Sequence, residues 1–194
     1  MRLIILDTET TGFSPARGDR MVEIGAIEMK DRKVLFGEKH VFHHYLNPGR
    51  DIPDQLTRIH GVDNAKVKGK PSFGDIAQAF LDFIDGATLV IHNASFDLRF
   101  IMNELRLNGL PAIDDVPVID TLALARKMHP DHEKNSLDAL CDRYGIERGH
   151  RALHGALLDS ELLAEVYIAM TAGHEFGTDT PSQPASNYAQ PPQF

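Results

Sequence analysis

The chain has 194 residues, of which 42% are hydrophobic and 25% are charged, and it carries a formal net charge of −8. This length fits one globular domain with a short appendage, because domains usually span about 100 to 200 residues. No apolar stretch reaches the roughly 18 residues that a membrane helix needs, and we expect no signal peptide. The single cysteine, Cys141, excludes an internal disulfide and a multi-cysteine zinc site. We therefore expect a cytoplasmic protein that has no contact with membranes.

The N-terminal part of the chain predicts an antiparallel group of strands. Residues 2–7 contain a continuous apolar run, which is typical of a central buried strand. Residues 22–28 and 39–46 alternate partly between apolar and polar side chains, with a turn-prone charged segment between them. The Asn-Pro-Gly segment at 47–49 then interrupts the sheet.

The rest of the chain alternates between helices and strands. It predicts strands over 87–92 and 116–120, and helices over 53–60, 73–85, 95–108, 121–128, 137–144 and 155–171. Three early strands followed by alternating elements indicate an α/β fold, with a mixed sheet flanked by helices, over residues 1–172. Residues 173–194 are rich in Pro, Ser and Gln, so we expect them to form a flexible tail.

Acidic side chains follow two of the apolar strands. Asp7 and Glu9 point to the same face of a strand, so both carboxylates can reach one cation, and Mg²⁺ and Mn²⁺ prefer such oxygen ligands. Asp97 follows the strand predicted at 87–92. Taken singly, the first two are also typical of a strand edge, and Asp97 of a helix first turn, where an acid contributes about 0.3–1 kcal/mol. Taken together they predict a metal site, because α/β proteins bind ligands at strand ends.

A histidine and a fourth acid stand near the C-terminal helix. On one helix, His154 and Asp159 would lie about 140° apart, so we expect His154 in the preceding loop and Asp159 in the first turns. A histidine before a helix is often only a surface residue, but an imidazole is suited to take up a proton near neutral pH. Together with the other acids, this pair predicts metal-assisted hydrolysis of a phosphodiester.

Four motifs resemble one known family. They are LDTETTG at 6–12, IHNASFD at 91–97, KNSLDALC at 134–141 and LHGALLDSELLAEVY at 153–167. Over about residues 2–172, the chain resembles the proofreading epsilon subunits of bacterial DNA polymerase III and, more broadly, the DEDD exonucleases whose last motif carries a histidine. This resemblance implies a ribonuclease H-like fold and 3′→5′ removal of nucleoside 5′-monophosphates from DNA.

The resemblance also implies a role for each matching residue. Two divalent ions, Mg²⁺ or Mn²⁺, would be held by Asp7 between them, by Glu9 and Asp159 on one ion, and by Asp97 on the other. His154 would be the general base. Contacts to the terminal nucleotide are implied for Asp7, Glu9 and Asp159, for the segment Thr8, Thr10, Thr11 and Gly12, and for the wedging or stacking residues Ile59, His60 and Phe96.

Partners are implied in the same way. We expect a single-stranded or frayed DNA 3′ terminus, the polymerase alpha subunit, and the theta subunit or the sliding clamp. The net charge of −8 favours weak intrinsic affinity for nucleic acid, which tethering to a partner would offset. The tail has no helical pattern, and QPPQF at 190–194 resembles sliding-clamp peptides but lacks their leucine.

Two other functions stay open. One is a stand-alone 3′–5′ exonuclease that trims RNA or short oligonucleotides, which the short tail favours. The other is a catalytically silent binding module, which is disfavoured because all five site residues are present.

Overall fold

A mixed β-sheet forms the centre of the fold. The computed structural model describes residues 1–149, 153–173 and 182–189, and these form seven paired strands. The strand order is β3-β2-β1-β5-β6-β7, and β4 also pairs with β2. Pairings of β1 with β5 and of β5 with β6 are parallel, and the others are antiparallel. The strands are β1 (Arg2–Thr10), β2 (Met21–Lys30), β3 (Lys33–Val34), β4 (Val41–Tyr45), β5 (Thr88–Ile91), β6 (Pro117–Asp120) and β7 (Gln183–Pro184).

The helices flank this sheet, and the predicted α/β class is confirmed. Each predicted helix is present within one or two residues of its expected bounds. Ser72 and Asp75 form a capping box, and Gly145 ends α6 in the left-handed conformation. The helices are α1 (Asp54–His60), α2 (Asn64–Val67), α3 (Phe73–Ile84), α4 (Ala94–Leu107), α5 (Thr121–Met128), α6 (Leu137–Tyr144), α7 (Ala156–Met170) and α8 (Ser186–Ala189).

Strand β1 is longer than its apolar run predicts. The run ends at Asp7, but the backbone stays paired with β2 as far as Thr10. The parallel pairing with β5 ends earlier, at Leu6 and Ile91. Residues 7–10 therefore extend beyond β5, and their polar side chains are held at the carboxyl end of the sheet.

The two faces of the sheet carry different helices. Leu3 and Ile5 of β1 pack with residues of α7, whereas Ile4 and Leu6 pack with residues of α3 and α4. This alternation follows from the two-residue period of a strand. As a result, both helical layers border the carboxyl end of β1.

Helix α7 approaches β2 at a glycine. A Cβ atom on Gly25 would lie 2.3 Å from the backbone nitrogen of Leu157, so a side chain at this position would overlap the helix. The Ser160 hydroxyl donates a 3.0 Å hydrogen bond to the Gly25 carbonyl oxygen. These contacts fix the first turns of α7 against the strand that pairs with β1.

Part of the predicted tail packs against the domain. Strand β7 pairs with β6, and the Ala185 amide donates to the Val116 carbonyl at 3.0 Å. Ala185 is fully buried and Tyr188 is partly buried against the core. The expectation of a flexible tail therefore does not hold for these residues, because the side of β6 that is not paired with β5 offers backbone groups that accept a partner strand. The boundary at residue 172 stays a prediction, and the clamp-like segment 190–194 lies outside the described residues.

Within the three described ranges, no helix has the length and apolar character required to cross a bilayer.

Candidate active site

Alternate side chains of β1 supply the first acids of the site. Asp7 and Glu9 both lie partly buried on the α7 side of the strand end. Thr8, between them, is buried and points to the α4 side, where it contacts Asp97. The end of one strand thus contacts functional groups from both helical layers.

Asp97 lies in the first turn of α4. The turn that precedes it uses Asn93 in the left-handed conformation, with φ of 63°. One carboxylate oxygen, Oδ1, accepts hydrogen bonds from the Thr8 amide at 3.0 Å and the Thr8 hydroxyl at 2.7 Å. Burial raises the pKa of Asp97 to about 7, although the Thr8 bonds lower it in part.

His154 and Asp159 are arranged as the sequence predicts. Asp159 is buried in the first turn of α7, and His154 lies in the preceding loop with its side chain 46% exposed. The His154 Nδ1 atom is 3.0 Å from Asp159 Oδ2. The backbone amide of His154 donates to the Ile59 carbonyl at 3.0 Å.

The site concentrates negative charge. The pKa of Asp7 is raised well above its ordinary value, first by burial and then by Asp97, Glu9, Asp159 and Glu23. Each of these carboxylates disfavours ionisation of Asp7 because like charges repel at short range. Such an arrangement is relieved by bound cations.

The loop after β1 is held by hydrogen bonds. The Thr10 hydroxyl donates to the Gly12 carbonyl at 2.6 Å, and the Thr11 hydroxyl accepts from the Arg20 amide at 3.1 Å. A Cβ atom on Gly12 would lie 2.3 Å from the Asp19 carboxylate. Thr10 and Thr11 are almost wholly buried, and their hydroxyls help to shape this loop; their contact with a nucleotide stays a prediction.

The three residues expected to wedge or stack the terminal nucleotide differ in exposure. Ile59 is exposed, and Phe96 is partly buried with its ring centroid 5.2 Å from that of Phe100. His60 is buried, its Nδ1 accepts a hydrogen bond from the Val62 amide, and burial lowers the pKa of its imidazole. Ile59 is therefore the most exposed member of this set, and His60 is the most buried.

Comparison with known proteins identifies the family. A family model described as an exonuclease, RNase_T, matches residues 4–167. DNA polymerase III subunit epsilon of Rickettsia prowazekii is 51% identical over 178 residues, covering 90% of this chain and 76% of the relative. The chain belongs to the DNA polymerase III epsilon family of exonucleases. The corresponding subunit of Salmonella typhimurium is 48% identical over 179 residues, covering 89% of this chain and 72% of that one.

Solved exonucleases share the fold of this epsilon-family chain. Exonuclease X in complex with 5′ overhanging duplex DNA superposes with a TM-score of 0.71 at 26% identity, covering 97% of this chain and 99% of that one. The nuclease domain of 3′hExo, a DEDDh family member bound to rAMP, gives a TM-score of 0.76 at 16% identity, covering 94% and 96%. These likenesses confirm the predicted ribonuclease H-like fold.

The donor atoms of this exonuclease fit a divalent cation. Glu9, His154 and Asp159 each offer one ligand atom, and the three atoms lie within 4.8 Å of one another. Carboxylate oxygens are the ligands that Mg²⁺ and Mn²⁺ prefer. The raised pKa of Asp7 adds a second reason, because a proton or a cation is needed to relieve its charge.

Glu23 is a neighbour of the site that the sequence did not single out. It is buried opposite Glu9 in the pairing of β1 with β2, and its carboxylate is 2.7 Å from His43 Nε2. The signal was available: Glu23 is a lone carboxylate within the apolar stretch that begins β2. The partly alternating pattern of β2 favours a solvent-exposed position for Glu23, because acidic side chains on a strand are usually exposed.

Proposed function

We propose that this exonuclease hydrolyses the terminal phosphodiester of a DNA 3′ end, releases nucleoside 5′-monophosphates, and proofreads for a replicative DNA polymerase III. The observation that carries the proposal is the meeting of four carboxylates and one imidazole at the end of β1. Asp7 and Glu9 come from the strand, Asp97 from α4, Asp159 from α7 and His154 from the loop before α7.

In this proposal, Asp7, Glu9, Asp97 and Asp159 hold two divalent cations, Mg²⁺ or Mn²⁺. Bound there, the cations would promote ionisation of a water and stabilise charge on the leaving oxygen. Burying these carboxylates together has a cost, because it disfavours their ionised form. A bound cation would offset that cost, since cation binding displaces the protons and stabilises the ionised carboxylates.

His154 acts as the general base. Its Nδ1 lies 3.0 Å from Asp159 Oδ2, a contact that orients the ring, and in this proposal the other ring nitrogen, Nε2, accepts a proton from water. The exposed side chain lets that proton pass on to solvent. General-base catalysis of this kind contributes about 10²–10⁴-fold in rate.

Selection of mismatched ends follows from access to the site. The terminal base must leave its stack to reach the exposed Ile59 and the partly buried Phe96. Unstacking costs less when the base is already unpaired, so a frayed terminus enters more readily. The net charge of −8 gives little attraction for the rest of the strand.

A polymerase partner supplies the missing affinity. We propose the polymerase III alpha subunit, with the theta subunit or the sliding clamp as further partners, because tethering raises the effective concentration of the DNA end. Gel filtration of the chain with purified alpha subunit tests this: co-elution is expected, and separate elution at micromolar concentration would contradict it.

The test of the activity compares matched substrates. Hydrolysis of DNA with a paired or a mismatched 3′ terminus, and of RNA of the same sequence, is measured in Mg²⁺. We expect the mismatched DNA end to be cut fastest. Equal rates for the two DNA ends would contradict proofreading, and faster cutting of RNA would support the stand-alone alternative. The Asp7→Ala protein is the control, since activity that survives in it comes from a contaminant or another site.

The role of His154 has its own test. His154→Ala is expected to lower turnover by about 10²–10⁴-fold while Mn²⁺ affinity, measured by calorimetry, stays near that of the wild type. A marked loss of Mn²⁺ affinity would make His154 a metal ligand instead.

A further inference from the structure

The loop that carries His154 touches the end of α1. The His154 amide donates a 3.0 Å hydrogen bond to the Ile59 carbonyl. One residue earlier, the Leu153 side chain covers Gly61: a Cβ atom built on Gly61 would lie 2.7 Å from Leu153 Cδ1. Two adjacent residues of the loop are therefore held by one helical turn that is far away in sequence.

Gly61 makes this contact possible. It ends α1 in the left-handed conformation, with φ of 69°, and its amide donates to the Thr57 carbonyl at 2.8 Å. Glycine adopts this conformation without strain. It also leaves bare backbone at the place where Leu153 packs, so the closeness of the loop to α1 depends on the missing side chain.

His154 needs such support because its side chain is exposed. An exposed ring in a loop samples several staggered rotamers, and the backbone conformation decides which of them are allowed and where they place the ring. The Ile59 carbonyl fixes the backbone, and Leu153 keeps the loop against α1. Asp159 orients the ring itself.

We propose that the turn at 59–61 positions the general base and that Leu153 is a positioning residue for it. This inference rests on the proposed function. The same turn carries Ile59, whose side chain is 43% exposed and is proposed above to contact the terminal base. Because the Ile59 carbonyl holds the His154 amide, a nucleotide seated against Ile59 and the base that activates its hydrolysis share one support.

The first test removes the Leu153 contact. Leu153→Ala is expected to lower kcat on single-stranded DNA by about 10-fold, since displacement by 1 Å can cost about 100-fold. The KM for DNA and the affinity for Mn²⁺ are expected to stay within about threefold of wild type, because Leu153 touches neither in this proposal. Leu153→Met is expected to restore most of kcat by covering Gly61 again. Leu107→Ala is the matched control, because Leu107 is 49% exposed and Leu153 is 45% exposed.

The second test adds a side chain to the turn. Gly61→Ala introduces backbone strain and an overlap with Leu153, whereas Gly145→Ala introduces similar strain, at φ of 67°, with nothing within 4 Å. We expect Gly61→Ala to lower kcat by at least 10-fold more than Gly145→Ala. In the Leu153→Ala background, the additional effect of Gly61→Ala on kcat is expected to shrink, since the atom it overlaps is gone.

Several results would overturn the inference. Unchanged kcat in Leu153→Ala would do so, as would a rise in KM without a fall in kcat, because that split would make Leu153 a substrate contact. Equal effects of Gly61→Ala and Gly145→Ala would reduce the turn to a fold requirement. These failures are distinct from failure of the proposed function, which would appear as no DNA hydrolysis by the wild-type protein.

Discussion

Gly25→Ala is expected to inactivate the enzyme without unfolding it. Gly25 pairs with Asp7 across β1 and β2, and it faces the first turn of α7. An added Cβ atom would lie 2.3 Å from the Leu157 nitrogen and 2.4 Å from the Ala156 carbonyl carbon. These are backbone atoms, so no side-chain rotation relieves the overlap. Either the strand or the start of α7 has to move.

The size of the movement sets the size of the effect. Restoring an ordinary contact of 3.4 Å requires a displacement of about 1 Å, and Asp159 and the His154 loop move with α7. Misplacement by about 1 Å costs about 100-fold in rate. Overpacking of this kind lowers the free energy of unfolding by about 1–3 kcal/mol, which a domain with typical stability of about 5–15 kcal/mol survives.

The assay measures kcat on a single-stranded oligonucleotide together with the unfolding midpoint in urea. Gly74→Ala is the matched control: its added Cβ would lie 2.2 Å from Asn108 Oδ1, a side-chain atom that can rotate away, and α3 is outside the site. The reasoning is refuted if Gly25→Ala is folded and its kcat stays within about threefold of the Gly74→Ala value.

Three further predictions concern charge in and beside the site. Thr8→Val removes the 2.7 Å hydrogen bond that favours the ionised form of Asp97, so the pKa of Asp97 rises further. We expect the Mn²⁺ affinity at pH 7, measured by calorimetry, to fall by about 3- to 10-fold in Thr8→Val and to stay unchanged in Thr8→Ser. Equal affinities in the two variants would contradict this prediction. In metal-free buffer, the wild-type protein loses stability relative to Asp97→Asn as pH rises from 5 to 8. The pKa of Asp97 is about 7 in the folded state and 3.8 is its ordinary value, so ionisation of Asp97 in this range lowers the free energy of unfolding of the wild type. Urea midpoints of the two proteins that stay parallel across this range would rule the prediction out. Arg20→Met leaves the buried Glu104 carboxylate without its two hydrogen bonds at 2.6 and 2.7 Å, and it is expected to lower the free energy of unfolding by about 3 kcal/mol. Most of this loss is expected to return in the double variant Arg20→Met/Glu104→Leu. A loss below about 1 kcal/mol in Arg20→Met, measured by urea unfolding, would show that solvent replaces the ion pair.

Local patterns were enough to predict the elements that build the site. The apolar run before Asp7 marks a buried strand, and the spacing of Asp7 and Glu9 puts both on one face, as observed. Ser72 and Ser136 begin helices through capping hydrogen bonds made within one turn, so the neighbouring residues are enough to predict these helix starts. The spacing of His154 and Asp159 predicts that His154 lies before the helix, because on one helix the two side chains would point in different directions, and the structure confirms this.

Long-range contacts account for what the sequence did not predict. The burial of His60 depends on how α1 packs and not on the residues beside it, so its motif does not predict a buried ring; its wedging role stays a prediction. Strand β7 forms because one edge of β6 is available for pairing, and no feature of residues 183–184 predicts a strand. The contact of Leu153 with Gly61 joins segments that are separate in sequence and is visible only after folding.

The same electrostatics link the fold to the activity. Asp7, Asp97 and Asp159 come from three different elements, and packing those elements together brings like charges close enough to raise the pKa of Asp7. In the absence of cations, hydrophobic packing of α4 and α7 on the sheet must offset this repulsion. A cation held by these carboxylates would offset the repulsion between them. The site therefore has its highest cation affinity only when α4, α7 and β1 are correctly packed, which makes metal binding a measure of the native arrangement.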